Sequence, residues 1–100
     1  MKSVNNFTHI FGFSPKVKVM DLFLSESDAG FTKSAIARLT DISRTTLIDV
    51  CDELVKIKFL YLQGQKYYLN KCDRNISVIY GFYIQLNNIV YTPWEVSVDE

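Results

Sequence analysis

A chain of 100 residues has room for one domain. With 48% hydrophobic and 14% aromatic residues it can bury a core, which excludes the polar, charge-skewed composition of a disordered chain. No apolar run reaches the roughly 18 residues of a membrane span, and the opening Met1-Lys2-Ser3-Val4-Asn5-Asn6 lacks the apolar stretch of a secretory signal. The expectation is a cytoplasmic protein with no membrane partner. Net charge is zero but unevenly spread. All 11 Lys and Arg lie within residues 1–75, against eight Asp and Glu there, while residues 76–100 hold Glu95, Asp99, Glu100 and no base.

Residues 1–13 (MKSVNNFTHIFGF) show no clean period and are expected to pack as an arm or short strand through Phe7, Ile10, Phe11 and Phe13. Ser14-Pro15 is a helix start, with serine as N-cap and proline in the first turn. Val17, Met20, Phe23 and Leu24 follow at helical spacing, predicting a helix over 15–26 that stops at the turn-like Ser27-Asp28-Ala29-Gly30. Thr32 caps a short helix predicted over 33–40, with Ala35, Ile36 and Leu39 inward. Thr40-Asp41-Ile42 is a tight connection, since aspartate tolerates a left-handed backbone better than most residues. Ser43 caps a third helix, predicted over 43–58, whose apolar side is Leu47, Val50, Cys51, Leu54 and Ile57.

The period then changes. Phe59–Leu62 and Lys66–Leu69 flank Gln63-Gly64-Gln65, which predicts a β-hairpin with strands over 59–62 and 66–69 and a three-residue loop. Asn75 is read as the cap of a last helix over 76–88, with Gly81 in its middle. Ile76, Ile79, Tyr80 and Tyr83 fall on one face and Val78, Phe82 and Leu86 on another. Residues 89–98, interrupted by Pro93, read as extended. The fold class is mainly α with a small β-hairpin, a single domain over 1–100. Residues 1–13 form its arm, 14–71 its central body, and 75–100 a C-terminal helix and tail.

The order helix, short helix, turn, helix, hairpin resembles the winged helix-turn-helix transcriptional regulators of the MarR and ArsR kind. The segment Ile36-Ala37-Arg38-Leu39-Thr40-Asp41-Ile42-Ser43-Arg44-Thr45-Thr46-Leu47 looks like the helix-turn-helix of that family, with Ala37 as the small contact residue and Leu47 and Val50 as the apolar positions that follow. Asp41 stands where the family usually has glycine. The resemblance implies a recognition helix over 43–58, a wing at the hairpin and, as partner, double-stranded DNA.

Elementary chemistry points the same way. A helix fits the major groove and its N-terminal end reaches the base edges first. Ser43, Arg44, Thr45 and Thr46 occupy that end. Arg44 suits guanine or a phosphate, and the hydroxyls suit phosphate at a helix N-terminus. Thr32, Lys33 and Ser34 open the preceding helix and can hold a backbone phosphate. Gln63, Gln65 and Lys66 sit at the wing tip, for a backbone or minor-groove contact. Asp49, Asp52 and Glu53 oppose a strong electrostatic footprint. A homodimer would double the contact, and Ile79, Phe82, Tyr83 and Leu86 on the last helix are the expected dimer interface. The rival readings are a protein-interaction winged helix without DNA binding, and a DNA-binding partition or architectural protein. An enzyme is not expected. The chain shows no paired carboxylates in an apolar setting, no nucleophile elbow, no phosphate-cradling glycine loop and no metal-ligand spacing, so neither cofactor nor metal is expected. Cys51 reads as a core residue and Cys72 as more exposed, with a redox role the lesser alternative.

Overall fold

The computed structural model describes residues 6–88. They form helices α1 (Asn6–Phe11), α2 (Pro15–Ser25), α3 (Lys33–Thr40), α4 (Arg44–Lys56) and α5 (Arg74–Asn88), with strands β1 (Leu60–Gln63) and β2 (Lys66–Leu69) between α4 and α5. The expected extended segment 89–98, and residues 1–5 of the arm, lie outside the described residues.

The arm is a correction: from residue 6 it is helical, neither a strand nor an irregular segment. Phe7 and Phe11, one turn apart, lie with ring centroids 5.0 Å from each other and lean on α5 through Tyr83 and Phe82. A helix brings residues i and i+4 onto one side, so two aromatics at that spacing bind this turn to α5. Gly12, at φ +96°, ends it, its N–H donating back to the Thr8 carbonyl.

Helices α2, α3 and α4 pack around a core that includes the fully buried Val19, Phe23, Leu24, Ile36, Leu47, Cys51 and Leu54, closed below by Phe59 and Leu60. Each begins on a side-chain cap. Ser14 accepts from the Val17 N–H, Thr32 from Ala35 and Ser43 from Thr46. Of the expected inward residues of α3, Ile36 is buried and Ala35 half-buried, but Leu39 is 54% exposed and Thr40 is buried instead. Thr40 tolerates burial because its hydroxyl donates to the Ile36 carbonyl at 2.6 Å. The turn at 41–43 is as expected: Asp41 is left-handed (φ 59°, ψ 42°), and the Ala37 carbonyl accepts from both the Asp41 and Ile42 N–H groups. Helix α4 stops at Lys56, two residues short of the expected end. Lys58 takes φ +73° and the Phe59 N–H returns to the Leu54 carbonyl, which leaves Ile57 exposed rather than in the core.

The hairpin register is the consequential difference. Gln63 pairs with Lys66, so the connection is the two residues Gly64-Gln65, not three. Gly64 has φ +66° and Gln65 does not share that sign, the arrangement in which a hairpin turn wants glycine first. Leu60, Leu62, Tyr67 and Leu69 therefore share one face. The opposite face carries Tyr61 and Tyr68, stacked at 5.4 Å, and next to them Gln63 and Lys66. Phe31 joins β2 through two backbone hydrogen bonds to Tyr67 of 3.0 and 2.8 Å, tying the approach to α3 to the hairpin.

Helix α5 is capped by Asp73, not Asn75; the Asp73 carboxylate accepts from the Asn75 and Ile76 N–H groups. Ile76, Tyr83 and Leu86 are buried, Ile79 and Tyr80 half-buried, and Val78 and Phe82 exposed. The Tyr83 hydroxyl donates to Asp21 of α2 at 3.0 Å, and burial pushes it up to about 12 from 10.0.

Candidate functional site

Two helix starts and a hairpin tip converge on one side of the molecule. Thr32, Lys33 and Ser34 come from the start of α3, Arg44 from the start of α4, and Leu62, Gly64, Gln65 and Tyr67 from the hairpin. Together they line an open cleft of about 290 Å³. The arrangement follows from three local causes. The left-handed Asp41 turns α4 so that its first residue lies beside the first turn of α3, where the Arg44 guanidinium donates to the Ser34 hydroxyl at 3.3 Å. The Phe31–Tyr67 hydrogen bonds dock the hairpin against that same turn. The two-residue turn then sets Leu62 and Tyr67, direct cross-strand partners, on the inner face.

The lining residues include two cations, Lys33 and Arg44, and no acid. Backbone N–H groups at the starts of α3 and α4 point outward from their first turns, and both helix dipoles add positive potential there. Lys33 also lowers the Cys51 thiol against the effect of burial, which nevertheless carries that thiol up to about 11. The cleft is built to attract an anion that can also meet flat or apolar surface at Leu62 and Tyr67.

The expected DNA-contacting residues divide into three sets. Thr32, Lys33, Ser34, Arg44 and Gln65 are together in the cleft. Ser43, Thr45 and Thr46 are exposed on the opening turn of α4, just outside it. The Ser43 hydroxyl donates to that of Thr46 at 3.1 Å and accepts from its N–H, so both serve the cap, while Thr45 makes no such bond. Gln63 and Lys66 stand on the other face of the hairpin, beside Tyr61 and Tyr68, because the shorter turn shifts the register by one residue. Leu62 and Tyr67 are the residues that sequence reasoning missed. The signal was available in the alternation of β2 once a two-residue turn is counted.

Farther along α4, Asp49 and Asp52 are exposed, whereas Glu53 is paired with Lys16 at 2.6 Å. The expected dimer residues also divide. Tyr83 and Leu86 are 3% and 7% exposed within the chain's own core, which corrects their assignment to a partner-facing surface; Ile79 is half-buried and Phe82 exposed. Among the described residues no cluster of three or more His, Cys, Asp or Glu could hold a metal ion, and no helix is long and apolar enough to cross a membrane. Cys51 is buried and Cys72 exposed, both as free thiols.

Comparison with protein-family models, with curated proteins and with solved structures finds no match.

Proposed function

We propose that this chain is a winged helix-turn-helix module that binds double-stranded DNA as a transcriptional regulator, with α4 in the major groove and the hairpin turn on the adjacent backbone or minor groove. One observation carries the reading: the start of α3, the start of α4 and the hairpin tip surround one open cleft whose lining holds Lys33 and Arg44 and no acid. A phosphate seated there meets two helix N-termini and two cations. From that anchor Arg44 and Thr45 lead into the groove, since the opening turn of such a helix reaches the base edges first. Thr32, Ser34 and Gln65 position the backbone, and Lys66 adds charge from the outer face of the hairpin.

The test is fluorescence anisotropy with duplexes selected from a random pool. Wild-type protein binds a defined sequence. Arg44→Ala weakens binding by about tenfold to a hundredfold, the range of a lost bidentate base contact, and relaxes the preference at one position. Lys33→Ala weakens all sequences alike and makes the salt dependence shallower. No binding by the wild type at low salt would sink the proposal.

A protein-interaction module is the second reading, favoured by one feature: Asp49 and Asp52 are exposed on the length of α4 that follows its opening turn. Carboxylates there repel phosphate unless they accept from cytosine. The same binding series separates the readings, because an interaction module selects no duplex.

A further inference from the structure

Tyr67 holds the least accessible position on the cleft. Its side chain lies on the inner face of the hairpin and the residue is 4% exposed, whereas Ser34, Arg44, Leu62 and Gln65 around it are exposed. Its hydroxyl forms no hydrogen bond among the described residues, and no side-chain oxygen or nitrogen among them is both sealed in and unpartnered. The hydroxyl therefore keeps an opening, and the cleft that Tyr67 lines supplies it. Folded chains pair nearly all such recessed polar groups. Lys33 and Arg44 are likewise without a carboxylate: the ion pairs among the described residues are Lys16–Glu53 and Lys71–Asp28. Water can serve a hydroxyl, but it neutralises neither cation. The combination calls for an acceptor that is also an anion.

We propose that the cleft binds the phosphate of a phosphomonoester, with Lys33 and Arg44 at its rim and the Tyr67 hydroxyl donating from its floor. The three donors arrive from three elements, α3, α4 and β2. A terminal phosphate offers three acceptor oxygens and carries about −1.5 to −2 charge at pH 7, which two cations match. A carboxylate offers one charge, half of what they can offset. A duplex phosphate is a diester, with one charge and a sugar on each side. It can rest on the rim against Lys33 and Arg44, but its flanking sugars keep it from a floor as recessed as Tyr67. A monoester has one side free and can enter. The cleft of about 290 Å³ has room for that group, and Leu62, 53% exposed, gives apolar surface to whatever the phosphate is attached to. The chemistry is shared by a free nucleotide and by the 5′ end of a nucleic acid strand. The inference uses the same two cations as the duplex reading but needs no duplex, so either can fail without the other.

The test uses the whole chain and no duplex. Backbone amide resonances of isotope-labelled protein are followed as adenosine 5′-monophosphate, its methyl diester and adenosine are added in turn. The monophosphate should shift the amides of Lys33, Ser34 and Arg44 and bind at least roughly tenfold more tightly than the other two. Tyr67→Phe should weaken that binding by roughly tenfold to a hundredfold, the range of a lost hydrogen bond to a charged group. The same variant should unfold at the wild-type temperature, because the hydroxyl bonds to no group among the described residues. A single-stranded oligonucleotide with and without a 5′-phosphate, read by anisotropy, separates the two sources. Preference for the phosphorylated strand assigns the site to strand ends, and binding of the mononucleotide alone assigns it to a free nucleotide. The proposal is overturned if the monophosphate and the phosphorylated strand bind no better than the methyl diester and the hydroxyl-ended strand. It is equally overturned if Tyr67→Phe binds the monophosphate as the wild type does.

Discussion

The buried thiol of Cys51 makes the stability of the fold depend on pH. It is fully buried on the inner side of α4, and desolvation lifts its thiol to about 11 from 9.0, with Lys33 lowering it and Asp52 raising it further. The unfolded thiol ionises first. The folded state therefore keeps its full advantage below pH 9 and loses it as pH rises toward 11, by at most about 1.4 kcal/mol per pH unit. Denaturant titrations between pH 9 and 11 should show a shallower decline for Cys51→Ala than for the wild type, although the variant is less stable at pH 7. Equal slopes would mean that the thiol is solvated. Native protein should also take up one alkylating group, at Cys72, since thiolate rather than thiol reacts.

At the level of elements, Gly30 governs the site from outside it. A β-carbon there would strike the Tyr68 ring, which is itself stacked on Tyr61. Gly30→Ala therefore has to push the hairpin away from the start of α3, and the expected outcome is weaker duplex binding with little change in helical content. Anisotropy and far-ultraviolet circular dichroism, measured together, decide it; unaltered affinity would show that Tyr68 yields alone. The hairpin also marks the boundary of what the sequence discloses. Ser14-Pro15, Thr32 and Ser43 announce three helix starts because capping is a local reaction of a hydroxyl with N–H groups two or three residues on. Asp41 announces the turn for a similar reason. The register of the strands is not local: a three-residue loop and a two-residue turn both accommodate Gly64, and the choice exchanges the faces of Lys66 and Tyr67. The helix at α1 was hidden because its six residues are set by packing on α5, which lies more than 60 residues away in sequence. For the same reason the sequence does not disclose the burial of Tyr83, against which Phe7 of α1 packs.

For the whole molecule the telling quantity is charge placement, since total charge is zero. The proposed DNA contacts use Lys33 and Arg44 in the cleft and Lys66 on the outer face of the hairpin, while Lys16 and Lys71 are engaged by Glu53 and Asp28. About three phosphates neutralised per chain predict a slope near −3 for log affinity against log salt, and about twice that for a pair of chains on one duplex. A flat salt response would contradict the assignment of these cations to phosphates. A pair of chains would also need half-sites about one helical turn apart, or a multiple of that.

The two hydrogen bonds between Phe31 and Tyr67 have a thermodynamic corollary. They weld the hairpin to the first turn of α3, so the cradle for a ligand stands assembled in the free protein. Association should then proceed as a rigid docking, with its heat-capacity change set by the contact surface alone and none of the additional signature that accompanies coupled folding.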